Sequence, residues 1–167
     1  MTSTNLVKEF AREAAVTRTH LARVPEDRLD WRPHQKSYSA RELASHLVDC
    51  VQWASAIFGA DEYDVDPSTY KSYAAESVAG LLEEFDRAVE AGKSTLEAAL
   101  GAAGRAAADE PWRLKIAGRV RFERTRADAL RDFTLSHQIH HRGQLTVYLR
   151  LLDVPVPGSY GPTADER

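Results

Sequence analysis

Proline and glycine divide this chain into four stretches that keep helical periodicity, and that segmentation limits the fold more than any other feature. The first runs from about Asn5 to Val24, with Leu6, Phe10, Thr17, Leu21 and Val24 recurring at spacings of three, four or seven. Pro25 closes it, because proline cannot continue a hydrogen-bonded turn. After the loop PEDRLDWRPHQKSY, Ser39 and Glu42 stand at the S-x-x-E spacing of a capping box, where each side chain satisfies the other residue's free backbone N–H. Leu43, Leu47, Cys50, Val51, Ala54, Ile57 and Phe58 then form an apolar face as far as Gly59.

The polar segment DEYDVDPSTYKSY contains Pro67 and reads as a long loop. A third helix is expected from about Ser77 to Leu100, marked by Val78, Leu81, Leu82, Phe85, Val89 and Leu96. Gly92 inside it costs about 1 kcal/mol relative to alanine. Residues 101–124 hold glycines, a proline and a short alternation of Trp112, Leu114 and Ile116, which fits a hairpin or an irregular excursion. Thr125 and Asp128 mark a further helix start, and the fourth helix runs from Ala129 to Leu152. The tail VPVPGSYGPTADER is rich in proline and glycine and is expected to lie along the surface. Four long helices with long connections suggest an all-α fold, a four-helix bundle, formed by a single domain over residues 1–167.

Composition narrows the function. Lys and Arg total 22 against 25 Asp and Glu, a net charge of −3, whereas nucleic-acid binders carry a basic excess. No apolar run approaches the roughly 18 residues of a membrane-spanning helix. The start MTSTNLVKEF has no apolar signal core, and Cys50 is the only cysteine, so a cytoplasmic, reducing setting is expected.

The chemistry lies in the histidines. Three of the six fall in one turn, SHQIHHRGQ. His137 and His141 are separated by four residues, so they lie about 40° apart on one helix face and can reach a single ion. His140 is three residues from His137 and offers an alternative pair by spacing alone. On a helical wheel, Leu130, Phe133, His137, His141, Gln144, Tyr148 and Leu152 share one stripe, with His137 and His141 near its centre and His140 about 80° away. Adjacent imidazoles in a core are costly unless their nitrogens find partners, and a divalent ion is one such partner. His46, centred on the stripe Leu43, His46, Cys50, Trp53 and Ile57, supplies a third ligand from a facing helix. Hydrogen-bonded core histidines without metal would produce the same pattern. His20 and His34 lie towards polar segments and read as ordinary histidines.

WRPHQKSYSARELASHL and SHQIHHRGQLTVYLRLLDVPVPGSYGPTADE closely resemble the DinB/YfiT-like family of metal-dependent enzymes. The resemblance runs from about Thr17 to Glu166, and H-x-x-x-H-R-G-Q followed by Y-G-P-x-A-D-E is an unusual string. It implies a four-helix bundle, commonly dimeric, with a three-histidine site for zinc or nickel that maps onto His46, His137 and His141. Some members of that family are S-transferases that use a low-molecular-weight thiol such as bacillithiol or mycothiol, and others are isomerases.

A three-histidine ion with an open position, whether zinc, nickel or iron, supports two chemistries. It lowers the pKa of a bound thiol, which suits transfer to a small-molecule electrophile, or of bound water, which suits hydrolysis. A non-catalytic metal-binding stress protein is the alternative to both. Asp49, one turn beyond His46, is placed to orient a ligand or act as a base, or else is a solvated carboxylate. Gln144 is placed to bond a ligand or to bridge helices. Trp53 and Tyr148 read as core or cavity wall, and Cys50 as a small buried apolar residue.

Overall fold

The capping box forms as the sequence requires, and it fixes where the helix carrying His46 begins. In the computed structural model, which describes residues 3–103 and 105–166, Ser39 Oγ accepts from Glu42 N at 3.2 Å while Glu42 Oε2 accepts from Ser39 N at 2.6 Å. Helix α2 (Ala40–Gly59) follows. It packs against α3 (Val78–Ala103) and α6 (Ser136–Leu151), and α1 (Ser3–Leu21) packs on the same two helices. Phe10 and Leu21 of α1, Leu43, Leu47 and Ile57 of α2, Leu81, Phe85 and Leu96 of α3, and Leu145 of α6 fill the core between them. Gly92 lets α1 and α2 approach α3: a Cβ there would meet Phe10 Cζ at 2.9 Å and Ala54 Cβ at 3.2 Å.

The expectation of an all-α four-helix bundle is overturned by a three-stranded sheet in the order β1-β2-β3. Strand β1 (Glu62–Val65) pairs parallel to β2 (Pro111–Ile116), which pairs antiparallel to β3 (Arg119–Thr125). Residues 101–124 thus contain the hairpin allowed by the sequence, preceded by the short helix α4 (Arg105–Asp109); Gly104 lies outside the described residues. Its two-residue turn places Ala117 at φ 50° and Gly118 at φ 75°, the left-handed pair whose twist matches the strands. Strand β1 falls in the segment read as a long loop. Its polar residues hid it: Lys115 Nζ reaches Glu62 Oε1 at 2.6 Å, and Asp64 accepts from Gly118 N at 3.1 Å.

One face of the sheet is aromatic and packs on the helices. Trp112 is buried, and Trp53 of α2 stacks edge-on to Tyr63 at 5.2 Å and to Trp112 at 6.2 Å between ring centroids. Phe133 meets Trp53, Trp112 and Phe122 at 5.6–6.0 Å.

The stretch expected as one helix from Ala129 to Leu152 is divided. Thr125 caps α5 (Arg126–Leu130) by accepting from Asp128 N at 3.1 Å, and a π-helical turn, Arg131–Leu135, separates α5 from α6. A π turn takes up an extra residue, so side chains before and after it fall out of phase with a straight wheel. The buried face of α6 is accordingly Gln138, Arg142, Leu145, Tyr148 and Leu149, with His137 and His141 half-buried on its flank. No described helix is long and apolar enough to cross a membrane.

Candidate metal centre

Helices α2 and α6 bring His46, His137 and His141 together as the wheel selected them. Each offers a ring nitrogen, and these atoms all lie within 4.8 Å of one another; it is the one such group of three among the described residues. His46 Nε2 and His137 Nε2 are 3.3 Å apart. His46 also faces the His141 ring at 4.6 Å between centroids. His140 is exposed beside His141 and stays outside the group.

The surroundings of the rings test whether a cation fits. His46 Nδ1 is 3.5 Å from Asp49 Oδ2, the residue one turn on, and this carboxylate oxygen is buried with no hydrogen-bond partner. His141 Nδ1 is 2.7 Å from Gln144 Oε1, a pairing in which the ring nitrogen donates. The Phe133 carbonyl, one turn before His137, acts as an acceptor for that ring. With the Phe133 carbonyl and Gln144 each accepting one N–H of His137 and His141, the lone pairs left on those two rings are free for a cation, and the 3.3 Å between His46 Nε2 and His137 Nε2 is bridged by a proton or by a metal ion. Burial, then His46 beside it, pushes the His137 ring below its ordinary pKa, and burial takes His141 down to about 4. Both rings are therefore neutral at pH 7, the state in which imidazole ligates a metal. The residues fit a divalent ion.

Two cavities lie nearby, one lined by a histidine of the group and one by Asp49. One of about 460 Å³ is lined by His141 with Lys36, Tyr38, Gln144 and Tyr148. Tyr38 also stands 5.9 Å from the His46 ring, and Tyr148 Oη donates to the Tyr38 carbonyl at 2.9 Å, fixing the rim. The other cavity, of about 520 Å³, is bounded by Asp49 and Trp53. Tyr148 and Trp53 are thus cavity walls. Burial pushes the Cys50 thiol up, away from the thiolate a ligand needs, and it does not join the group.

His34 accepts from Lys36 N at 3.1 Å. His20, read as lying towards a polar segment, is fully buried: Nδ1 meets the Val16 carbonyl at 2.8 Å and Nε2 lies 3.3 Å from Ser159 Oγ. Sequence reasoning missed a buried polar cluster behind the triad. Arg142, directly after His141, donates to Glu13 Oε2 at 2.9 Å and to Tyr160 Oη at 2.6 Å, and Tyr160 Oη donates to Glu13 Oε2 at 2.6 Å. The only sequence signal was the H-R-G-Q and Y-G-P strings, which carry Arg142 and Tyr160.

Solved structures share this fold. A DinB-like protein from Bacillus cereus ATCC 10987 superposes with a TM-score of 0.74 at 18% identity, covering 95% of this chain and 98% of its own. The DinB-like protein YjoA from Bacillus subtilis gives 0.70 at 20% identity, over 93% and 96%. Among curated proteins, the uncharacterized protein YrdA of Bacillus subtilis (strain 168) is 53% identical over 34 residues, a segment spanning 20% of each chain. The DinB family model matches residues 1–167, and the chain belongs to the DinB family.

Proposed function

We propose that the protein is a divalent-metal-dependent enzyme of the thiol S-transferase type, acting on small electrophiles. The supporting observation is the convergence of three imidazole nitrogens within 4.8 Å beside an open cavity. His46, His137 and His141 would hold the ion; imidazole ligands suit zinc or nickel, and iron is also compatible. A divalent ion bound by three neutral imidazoles keeps a position for an outside ligand and lowers the pKa of a low-molecular-weight thiol placed there.

The chain's own residues orient and enclose. Gln144 holds the outer ring nitrogen of His141 and Asp49 Oδ2 faces that of His46 at 3.5 Å, which favours inner nitrogens that keep one direction. Tyr38 and Tyr148 wall the cavity at His141, and Lys36 brings a cation to it. A second cavity lies beyond Asp49, on the outer side of His46, and offers space for a second organic reactant. Transfer needs two and hydrolysis one, so this favours transfer. In that reaction a C–S bond forms at the electrophilic carbon, the leaving group departs with the bonding pair, and the thiol proton passes to solvent.

The test is S-alkylation of L-cysteine by monochlorobimane, followed by fluorescence with untagged, zinc-loaded protein. A rate above the spontaneous reaction, lost on chelation and in His137→Ala, supports the proposal. Hydrolysis of p-nitrophenyl acetate without any thiol-dependent rate would replace it with a hydrolase. A homodimer in the cytoplasm belongs to the same proposal, and light scattering should return twice the mass of one chain.

A further inference from the structure

Trp53, Tyr63, Tyr70 and Tyr73 line the cavity of about 520 Å³ between α2, β1 and the loop after it, and it holds one cation, Lys71. Its volume lies within the range of small-molecule sites, roughly 300–1,000 Å³. Large exposed aromatics are usually scattered, yet Tyr63 is 37% and Tyr70 44% exposed here, gathered on one concave surface. Rings facing an open cavity forgo the dispersion contacts that a flat ligand would restore.

The polar groups define the rest of the ligand. Among the described residues no carboxylate pairs with Lys71, which is exposed at the cavity. Ser55 Oγ, on the cavity's α2 wall, is buried and has no hydrogen-bond partner. Asp49 is 7% exposed, its Oδ1 accepts from Tyr73 N at 3.2 Å, and its Oδ2 faces His46. Asp49 therefore ties the loop that carries Tyr70, Lys71 and Tyr73 to the histidine group.

We propose that this cavity binds an organic molecule with a flat, unsaturated body and an anionic group, the body between the aromatic walls and the anion on Lys71. This deepens the preceding reading by assigning the class of one reactant, and it rests on that reading only for the reaction.

The test is binding of three isosteric probes, followed by amide and indole shifts in ¹H–¹⁵N spectra, with and without added zinc. The probes are trans-cinnamate, trans-cinnamamide and cinnamyltrimethylammonium. Cinnamate should bind most tightly and shift the Trp53 indole N–H. Lys71→Gln should weaken cinnamate about threefold to fivefold, the effect of an exposed ion pair, and leave cinnamamide unchanged. Tyr70→Ala, at an exposed position, should weaken both. Tightest binding of the ammonium probe, equal affinity for all three, shifts confined to Lys36, Tyr38 and His141, or no binding up to probe solubility would each overturn the inference. Shifts at Trp53 without zinc uphold the cavity even if the metal reading fails.

Discussion

Glu13→Gln should be among the most damaging substitutions in the molecule, although it changes one atom. Glu13 and Arg142 are 1% and 2% exposed, and they meet at 2.9 Å with Tyr160 Oη bonded to both. Arg142 also donates to the Glu13 carbonyl and to Thr17 Oγ1, each at 3.2 Å. Removing the carboxylate charge leaves a guanidinium buried without its counter-ion, at a cost of about 3–5 kcal/mol. For a chain of this size each kcal/mol shifts Tm by about 2–4 °C, so the fall should be about 6–20 °C.

Thermal unfolding followed by circular dichroism reads this directly. The double variant Glu13→Leu/Arg142→Met removes both charges and should recover much of the loss, since apolar pairs replace buried ion pairs at little cost. A fall below about 2 °C for Glu13→Gln, or a double variant less stable than the single, would refute the reasoning.

The pH dependence follows from Glu13, His20 and the two half-buried histidines of α6, His137 and His141. Burial alone would raise the Glu13 carboxyl, but hydrogen bonds from Tyr160 and Arg142 and the Arg142 charge outweigh it, so its pKa is lowered. Burial lowers His20, against the pull of the Val16 carbonyl. A depressed folded pKa favours the deprotonated form, so these contributions are complete above the unfolded values and lost on acidification. Tm of the metal-free protein should fall below pH about 6.5 as His20, His137 and His141 must charge, and further below about 4.3 as Glu13 protonates; a flat profile from pH 7 to 5 would contradict the first step. Gly92→Ala gains about 1 kcal/mol of helix propensity but drives a methyl into Phe10, with overpacking costing about 1–3 kcal/mol, so urea unfolding should show no gain in stability. Asp49→Asn should weaken zinc binding about 10–100-fold in a chelator competition by loosening His46. His140→Ala should leave zinc affinity nearly unchanged while His141→Ala abolishes it; the reverse result would mean that His140 is the ligand.

The helices and the triad were legible because each rests on a local rule. Ser39 and Glu42 announce α2, and the spacing of His137 and His141 sets their direction whatever surrounds them. Strand β1 was not legible, since Glu62 and Asp64 are stabilised only by Lys115 and Gly118, more than fifty residues away. The wheel selected the histidines that converge but misplaced the buried face of α6. It ran straight through the π turn at Arg131–Leu135, and its stripe left out Gln138 and Arg142. Arg142 is buried because Glu13, Thr17 and Tyr160 converge on it from distant segments, which hydropathy cannot register. Trp112 and Phe133 likewise became an aromatic cluster only through the sheet.

The central claim is that His46, His137 and His141 form a metal centre, and elemental mass spectrometry of untagged protein tests it most directly. The account predicts near-stoichiometric zinc, nickel or iron in the wild type and none in His137→Ala purified beside it. Wild-type protein that carries no metal and takes up none when offered would contradict it, leaving three imidazoles held only by their hydrogen bonds.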